Sequence, residues 1–328
     1  MNRVLIVGIP RSGTTWIGHV LGHAEDTTFL SEPDNHLAQP FAFRAKRRLP
    51  GGFHPALEPG ESANAYELLW RQALAFPPRR AVGAYSRLEG LRRGLSMHLL
   101  ASTTQEQKWA AFDKARRRPL RLVAAERLAI PERPERSTSN LVVKSIYAAL
   151  ALEWIVARFP ARVVIVARAP LNILSSWAEI GWLGRPGNDM LDTLEASVQR
   201  RLAAKWNVDP PAIGASIFAR GAWLIGALTC ELDESVARNP GWLSGSHEDL
   251  CERPHDRFRA LAEACGLRWS PAIDRILDDT NRPGSGYEPF RERHELHDAW
   301  RRRLGAEQVG EALAVLERFP VDTKLPVR

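Results

Sequence analysis

The sequence predicts an α/β fold, in which a parallel β-sheet is flanked by helices and carries a largely helical insertion. Short apolar runs rich in β-branched residues alternate with segments that have apolar residues at helical spacing. The first run, residues 4–7, leads into a turn with two glycines and then into a helical pattern. No internal repeat or low-complexity linker divides the 328 residues. We therefore expect a single domain, residues 1–328.

The remaining elements follow in chain order. After the first strand, a helix is predicted from Thr14 to about His23. Strands are predicted at residues 29–31, 141–144 and 163–167. Helices are predicted at residues 65–75, 105–117, 148–159, 173–180, 217–238 and 254–265, with further helices after residue 287. Residues 181–215 contain several glycines and prolines and are predicted to be irregular.

The net charge of +7 fits an anionic ligand. Basic residues cluster in four runs, at residues 44–48, 79–80, 116–118 and 301–303. We interpret these runs first as solvated faces and second as a polyanion site. No RNA-binding signature or basic stripe with interleaved aromatic residues accompanies them. Nucleic acid is therefore not an expected partner.

The cysteines and the first residues bear on the cellular compartment. Cys230, Cys251 and Cys265 form no C-x-x-C pair and leave an odd count, which indicates structural thiols in a reducing environment. The sequence begins on a predicted core strand instead of a signal peptide, and no apolar stretch approaches a membrane span. We expect a cytoplasmic protein without a transmembrane segment, and a homodimer stays open.

The turn from Gly8 to Trp16 can bind a phosphate group. Strand, glycine turn and helix start are the arrangement that surrounds an anion with backbone N–H groups at the positive end of a helix dipole. The Walker pattern G-x-x-x-x-G-K-[S/T] has a Lys after its second glycine, but here Thr14 stands there and the cation is Arg11. Such a P-loop-type turn suits a shorter anionic group better than a triphosphate. On its own, it could equally be an ordinary strand–helix turn.

Polar residues follow other predicted strands in the same way. Glu32 and Lys144 come directly after apolar strands, and Arg168 follows a third. Parallel sheets bind ligands beyond the carboxyl ends of their strands. These side chains are therefore expected to converge with the glycine turn at one edge of the sheet.

Two motifs resemble those of sulfotransferases that use 3′-phosphoadenosine-5′-phosphosulfate (PAPS), in the bacterial or carbohydrate-like branch. Residues 10–16, P-R-S-G-T-T-W, resemble the family's 5′-phosphosulfate loop. Residues 162–177 are similar to its strand–R-x-P-x₅-S–helix element. The resemblance implies that the first motif binds the donor through Arg11, Ser12, Gly13, Thr14, Thr15 and Trp16. It also implies that Arg168 and Ser176 bind the 3′-phosphate.

Two weaker matches extend the donor site. His247-Glu248-Asp249-Leu250 is similar to the family's Y-E-D-L, whose aromatic residue stacks on adenine, with His247 in place of the Tyr. Thr280, Arg282 and Gly284 lie where the family's R-x-G-x-x-G loop closes over the 3′-phosphate, although the spacing departs from that pattern.

The resemblance implies three catalytic residues. Arg11 is expected at the bridging and leaving oxygens. Lys144 resembles the family Lys that approaches the sulfate, and its alternative is a Lys that snorkels from a strand end. The animal cytosolic branch has a His as base two residues further on, where this chain has Ile146. Glu32, in an E-P motif found in carbohydrate-type and bacterial members, is the expected base.

Asp34 and His36 lie close enough to Glu32 in sequence to be rival bases. The predicted reaction moves a sulfuryl group from PAPS to a hydroxyl or amine by in-line displacement, without a metal. The acceptor is a small molecule, a carbohydrate or a lipid-linked sugar, and its binding residues are expected within 37–138 and 178–240, which the resemblance does not cover. The alternative is a P-loop nucleoside or small-molecule kinase; a non-enzymatic binding protein ranks third.

Overall fold

The computed structural model describes residues 1–75, 87–112, 117–135, 138–183, 189–282 and 298–321. Five parallel strands form one sheet in the order β2-β3-β1-β4-β5. They are β1 Asn2–Gly8, β2 Thr27–Ser31, β3 Asn140–Ser145, β4 Arg162–Ala167 and β5 Leu243–Ser246. The predicted α/β class with a parallel sheet is confirmed.

Alternating apolar residues of the central strands bury both faces of the sheet. In β1, Val4 and Ile6 belong to one hydrophobic cluster, and Leu5 and Val7 to the other. All four side chains are inaccessible to solvent. A strand that is buried on both sides reads as a continuous apolar run, which is why residues 4–7 could be recognised as a strand.

Helices cover both faces. In chain order they are α1 Thr14–Gly22, α2 Pro40–Lys46, α3 Asn64–Ala73, α4 Arg87–Ala101, α5 Gln105–Ala110, α6 Leu120–Leu128, α7 Leu152–Arg158, α8 Pro170–Glu179, α9 Ala196–Trp206, α10 Ile217–Arg238, α11 His247–Glu252, α12 Pro254–Ala264, α13 Pro271–Asp279, α14 Ala299–Arg303 and α15 Ala306–Leu316. Helices α1, α12 and α13 pack on one face, and α3, α7, α8, α10 and α15 contribute to the core on the other.

The segments between residues 37 and 138 are largely helical, as predicted, with α2 to α6 in the described part. Outside that region, helices α9 and α11 and strand β5 were not predicted. Helix α9 lies within residues 181–215, which were expected to be irregular; it buries Val198, Leu202 and Ala203 on one face. The edge strand β5 was not predicted, because its sequence L-S-G-S has no β-branched or aromatic residue.

The chain path makes a crevice beside β1. From β1 the chain passes to β2 and then to β3, which pairs with β1 on one side, whereas β4 pairs with β1 on the other. Strand order reverses at this point, and open α/β sheets bind ligands at such a reversal, beyond the strand carboxyl ends. The turn after β1 lies there, between the ends of β3 and β4.

The first basic run is only partly solvated. Lys46 is fully buried, and Arg47 is largely buried in an ion pair with Glu126. The interpretation of residues 44–48 as a solvated face is therefore wrong at these two positions. All three cysteines are free; Cys230 and Cys265 are buried, and burial raises the pKa of each thiol to about 12. Within the described residues, no helix is long and apolar enough to span a membrane.

Candidate active site

The turn after β1 curls tightly before α1 begins. The Ser12 N–H donates to the Ile9 carbonyl at 2.9 Å, and the Trp177 indole donates to the Pro10 carbonyl at 3.0 Å. Gly13 precedes the first turn of α1 with φ 97°, a left-handed conformation that glycine adopts without steric cost. The first N–H groups of α1 therefore face the turn.

Two positions in this turn have no room for a side chain. A Cβ at Gly8 would collide with the Ser12 hydroxyl, and a Cβ at Gly13 would collide with the His247 ring. The Ser12 Oγ atom is buried and has no hydrogen-bond partner among the described residues. Such a tight backbone cradle with a free hydroxyl fits an anionic oxygen group, because backbone N–H groups can approach it closely.

One side of the turn carries two arginines. The Arg11 Nε donates to the Ser176 hydroxyl on α8 at 2.9 Å. The Arg168 guanidinium donates to the Arg11 carbonyl at 2.7 Å and is almost completely buried. The three side chains expected to bind donor phosphates therefore meet at the carboxyl end of β4. Arg11 also has a positive φ of 74°, which is uncommon for a residue with a side chain.

Glu248 supports this basic side, and the sequence analysis gave it no role. Its Oε1 atom accepts hydrogen bonds from the Ala169 N–H at 3.2 Å and from Asn172 Nδ2 at 3.0 Å. The same atom lies 3.9 Å from Arg168 Nε. The buried carboxylate thus fixes the start of α8 and the arginine together. The sequence signal for Glu248 is its place in H-E-D-L, directly after His247.

The other side of the turn carries a lysine between two partners. The Lys144 ammonium, at the end of β3, donates to Thr15 Oγ1 at 2.8 Å and forms an ion pair with Glu32. Only 1% of its side chain is exposed, so it is directed into the site. The snorkelling alternative for Lys144 is wrong, because such a Lys would extend its head group to water.

Glu32 is held in a strained backbone conformation. Its φ is 51°, and its N–H donates to the Lys144 carbonyl at 2.8 Å. Its Oε2 atom accepts from Asn35 Nδ2 at 2.6 Å, and 19% of the side chain is exposed. A carboxylate that is fixed at both oxygens and still reaches solvent can meet an incoming ligand.

The two rival bases lie deeper than Glu32, and both are fully buried. Both carboxylate oxygens of Asp34 lie 2.8 Å from the Ser145 hydroxyl, and burial raises the pKa of Asp34. The His36 Nδ1 atom lies 3.2 Å from Lys46 Nζ, and burial, with the Lys46 charge, lowers the pKa of His36 well below its usual range.

Two of the residues expected around the nucleotide, His247 and Thr280, contact the turn after β1. His247 is buried and packs against Gly13 and the edge of Trp16, with ring centroids 5.7 Å apart. Burial and the nearby Arg168 charge lower the pKa of His247 well below its usual range. The Trp16 indole donates to Thr280 Oγ1 at 3.2 Å, which ties the loop to the end of α13. Arg282 is exposed, and Gly284 lies outside the described residues.

Together, the fold and the site place a glycine turn, two arginines and a lysine at the carboxyl ends of a parallel sheet. A family model described as "Sulfotransferase family" matches residues 3–213, roughly two thirds of the chain. The chain belongs to the sulfotransferase family. No curated protein sequence matches the chain.

Solved structures that are similar to the chain at low identity include two sulfotransferase domains and a retinol dehydratase. The sulfotransferase domain from the curacin biosynthetic pathway is 13% identical, with a TM-score of 0.45 over 98% of this chain and 99% of that chain. The sulfotransferase domain from the Synechococcus PCC 7002 olefin synthase is 19% identical, with a TM-score of 0.38 over 99% and 96%. Retinol dehydratase in a complex with retinol and PAP is 13% identical, with a TM-score of 0.41 over 100% and 84%.

Proposed function

We propose that the protein transfers a sulfuryl group from PAPS to a hydroxyl or amine of a small-molecule, carbohydrate or lipid-linked acceptor by in-line displacement. The observation that carries this proposal is the position of Lys144. Its buried ammonium bridges Thr15, on the anion-binding turn, and Glu32, on the neighbouring strand end. A cation between an anion cradle and a carboxylate is what transfer of an anionic group to a proton-bearing nucleophile requires.

The basic side of the turn is assigned to the donor. Arg168 and Ser176 bind the 3′-phosphate, and the N–H groups and hydroxyls of residues 12–15 bind the 5′-phosphosulfate. Arg11 connects these two positions, because its side chain contacts Ser176 while its carbonyl holds Arg168. Its guanidinium stabilises the negative charge that develops on the leaving oxygen.

The lysine side is assigned to the chemistry. Lys144 stabilises the equatorial sulfuryl oxygens, and Glu32 accepts the proton of the acceptor hydroxyl. The acceptor oxygen forms a bond to sulfur as the bond between sulfur and the 5′-phosphate oxygen breaks. The products are a sulfate ester and 3′-phosphoadenosine 5′-phosphate (PAP). Because the sulfuryl oxygens compete for the Lys144 ammonium, donor binding loosens the Lys144–Glu32 ion pair and frees the carboxylate.

Ligand binding separates this proposal from the kinase alternative. We expect PAP to raise the melting temperature in the presence of a chelator, more than AMP does and more than ATP with Mg²⁺ does, since PAP occupies both phosphate positions. Transfer of ³⁵S from labelled PAPS to an acceptor panel, with and without chelator, then tests the activity. Equal stabilisation by ATP with Mg²⁺, or transfer of phosphate from ATP, would overturn the proposal.

A further inference from the structure

Ser145 is the last residue of β3 and follows the proposed catalytic lysine, Lys144. Consecutive residues of a strand point to opposite faces of the sheet. Lys144 points to the face that α1 covers, where it contacts Thr15. Ser145 points to the other face, which it shares with Val143. Ser145 is fully buried and therefore contacts neither donor nor acceptor, but it belongs to the backbone from which Lys144 projects.

The Ser145 hydroxyl joins β3 to the loop that carries Glu32. Its Oγ atom lies 2.8 Å from each carboxylate oxygen of Asp34 and accepts a hydrogen bond from the Tyr147 N–H at 3.1 Å. Because the hydroxyl has one proton, it donates to one oxygen of Asp34 at a time. The Glu32 N–H donates to the Lys144 carbonyl at 2.8 Å. The loop after β2 is thus fastened to two consecutive residues of β3.

A buried lysine accompanies the Asp34 carboxylate. Lys46 is fully buried, as Asp34 is, and its ammonium donates to the Asp34 carbonyl at 3.0 Å. The Lys46 charge lowers the pKa of Asp34 and offsets part of the rise that burial causes. Burying charged groups is costly, and well-packed apolar residues in their place are often equally stable or more stable. Stability of the fold alone is therefore a poor explanation for these buried polar residues.

The loop that is fastened in this way contains the strained residue Glu32. Its φ of 51° is unfavourable for a residue with a side chain and persists only where the surroundings impose it. The φ torsion lies between the two attachments to β3, since the Glu32 N–H precedes it and the Asp34 side chain follows it. The direction in which Glu32 meets Lys144 depends on this torsion. The contact between Asp34 and Ser145 therefore acts on the proposed reaction centre without being part of it.

We propose that Ser145 and Asp34 are positioning residues for sulfuryl transfer: their contact holds Glu32 and Lys144 in the alignment that the reaction needs. This inference rests on the proposed function. In-line transfer aligns the acceptor oxygen, the sulfur and the leaving oxygen, and a misplacement of about 1 Å can slow such a step by about 100-fold. PAP lacks the sulfuryl group that is assigned to Lys144. Loss of the contact should therefore slow turnover and leave PAP affinity unchanged.

Ser145→Ala removes the hydroxyl and is the main test. PAP affinity is measured by calorimetry, and turnover is measured with labelled PAPS at saturating donor, at a temperature where each variant is folded by thermal denaturation. The acceptor is whichever of phenol, octanol and methyl glucoside the wild-type protein sulfates fastest. We expect unchanged PAP affinity and turnover that falls about 10- to 100-fold. Ser145→Thr retains the hydroxyl and suits a strand, so it should keep most of the turnover.

Two further variants separate positioning from stability. Ser96→Ala is the matched control, because Ser96 is also buried and its hydroxyl donates to the Ala125 carbonyl at 2.7 Å, which joins α4 to α6. It should lower the melting temperature without slowing turnover. The double variant Asp34→Ala/Ser145→Ala removes both partners and leaves no carboxylate unpaired, so it should melt above Ser145→Ala. It should still be slow, and it replaces Ser145→Ala in the assay if that variant does not fold.

The outcomes separate this inference from the proposed function. Three results would overturn the positioning role and leave the sulfotransferase proposal standing: near-normal turnover of folded Ser145→Ala, loss of PAP affinity in step with turnover, or Ser145→Thr as slow as Ser145→Ala. A crystal structure of Ser145→Ala needs no acceptor. Glu32 should leave its positive φ or move away from Lys144, and unchanged geometry would also overturn the role. If PAP does not bind and no acceptor receives sulfate, the proposed function fails and the positioning role fails with it.

Discussion

Replacing Glu32 with Gln is the most direct test of the proposed chemistry. The side chain keeps its shape, and its single amide oxygen can still accept from one of the two donors, Asn35 and Lys144, that now contact the carboxylate. The variant can no longer accept the acceptor proton. Loss of a general base slows turnover by roughly 10²–10⁴-fold.

The structure also indicates that Glu32→Gln lowers the free energy of unfolding only moderately. Breaking a buried ion pair costs most when it leaves the remaining charge without any partner. Lys144 keeps the hydrogen bond to Thr15 Oγ1 at 2.8 Å, and Glu32 is partly exposed. We therefore expect the free energy of unfolding to fall by about 1–3 kcal/mol, the cost of an imperfectly paired polar group. Thermal denaturation should then show a folded protein that melts a few degrees earlier.

The assay combines PAP affinity by calorimetry with turnover of labelled PAPS at saturating donor. Glu248→Gln is the matched control, because it makes the same chemical change at a buried carboxylate on the opposite side of the turn. Glu248 acts through Arg168 and the start of α8. Its variant should weaken PAP binding and keep most of the turnover at saturating donor, whereas Glu32→Gln should keep PAP binding and lose turnover. Near-normal turnover in a folded Glu32→Gln protein would refute the assignment of the base.

Three further predictions concern the donor site and the buried histidines. Arg168→Ala should weaken PAP binding by on the order of 1.5–3 kcal/mol in calorimetry, because a charge-assisted contact is lost; unchanged affinity would contradict the 3′-phosphate assignment. Gly13→Ala should lower the melting temperature and PAP affinity, since its Cβ meets the His247 ring at a positive φ, and His247→Ala should recover part of the loss if that collision is the cause. Burial lowers the pKa of His54 to about 3, so the unfolded chain binds the extra proton below pH 6.5 and stability falls on acidification. From pH 7.5 to 5.5 this loss is about 1.4 kcal/mol, and denaturant titrations of His54→Gln should show a correspondingly weaker pH dependence.

The elements that could be predicted are those whose own residues form a recognisable pattern, such as an apolar run or a glycine turn. Apolar runs marked β1, β3 and β4, and the glycine turn marked the start of α1. Strand β5 carries no such signal and forms because the parallel edge of β4 is available for pairing. Helix α9 was missed because the glycines and prolines around it masked its short apolar stripe at 198–203.

The same distinction holds at the site. Placing Glu32, Lys144 and Arg168 after strands predicted their convergence, because parallel strands end at one edge. Their supports could not be predicted. Glu248 reaches Arg168 from a helix 80 residues further along the chain, and this pairing depends on the β4–β5 register. Lys46 looked like part of a solvated basic run, yet it is buried under the Tyr147 ring, 4.2 Å from its centroid. Tertiary packing determines both the contact between Glu248 and Arg168 and the burial of Lys46.

Backbone strain gives an argument for the site that is independent of any motif. In the described part of the chain, four residues other than glycine have a positive φ: Arg11, Asp26, Glu32 and Asn207. Asn207 ends α9, and Asp26 lies in the turn before β2. Arg11 and Glu32 lie on opposite sides of the anion cradle. Each such residue costs of order 1–3 kcal/mol and persists only where its surroundings impose it. Arg168 holds the Arg11 carbonyl, and the Lys144 carbonyl holds the Glu32 N–H. The cations that would bind the donor therefore belong to the same segments that impose the strain, which supports the roles proposed for Arg11 in charge stabilisation and for Glu32 in proton removal.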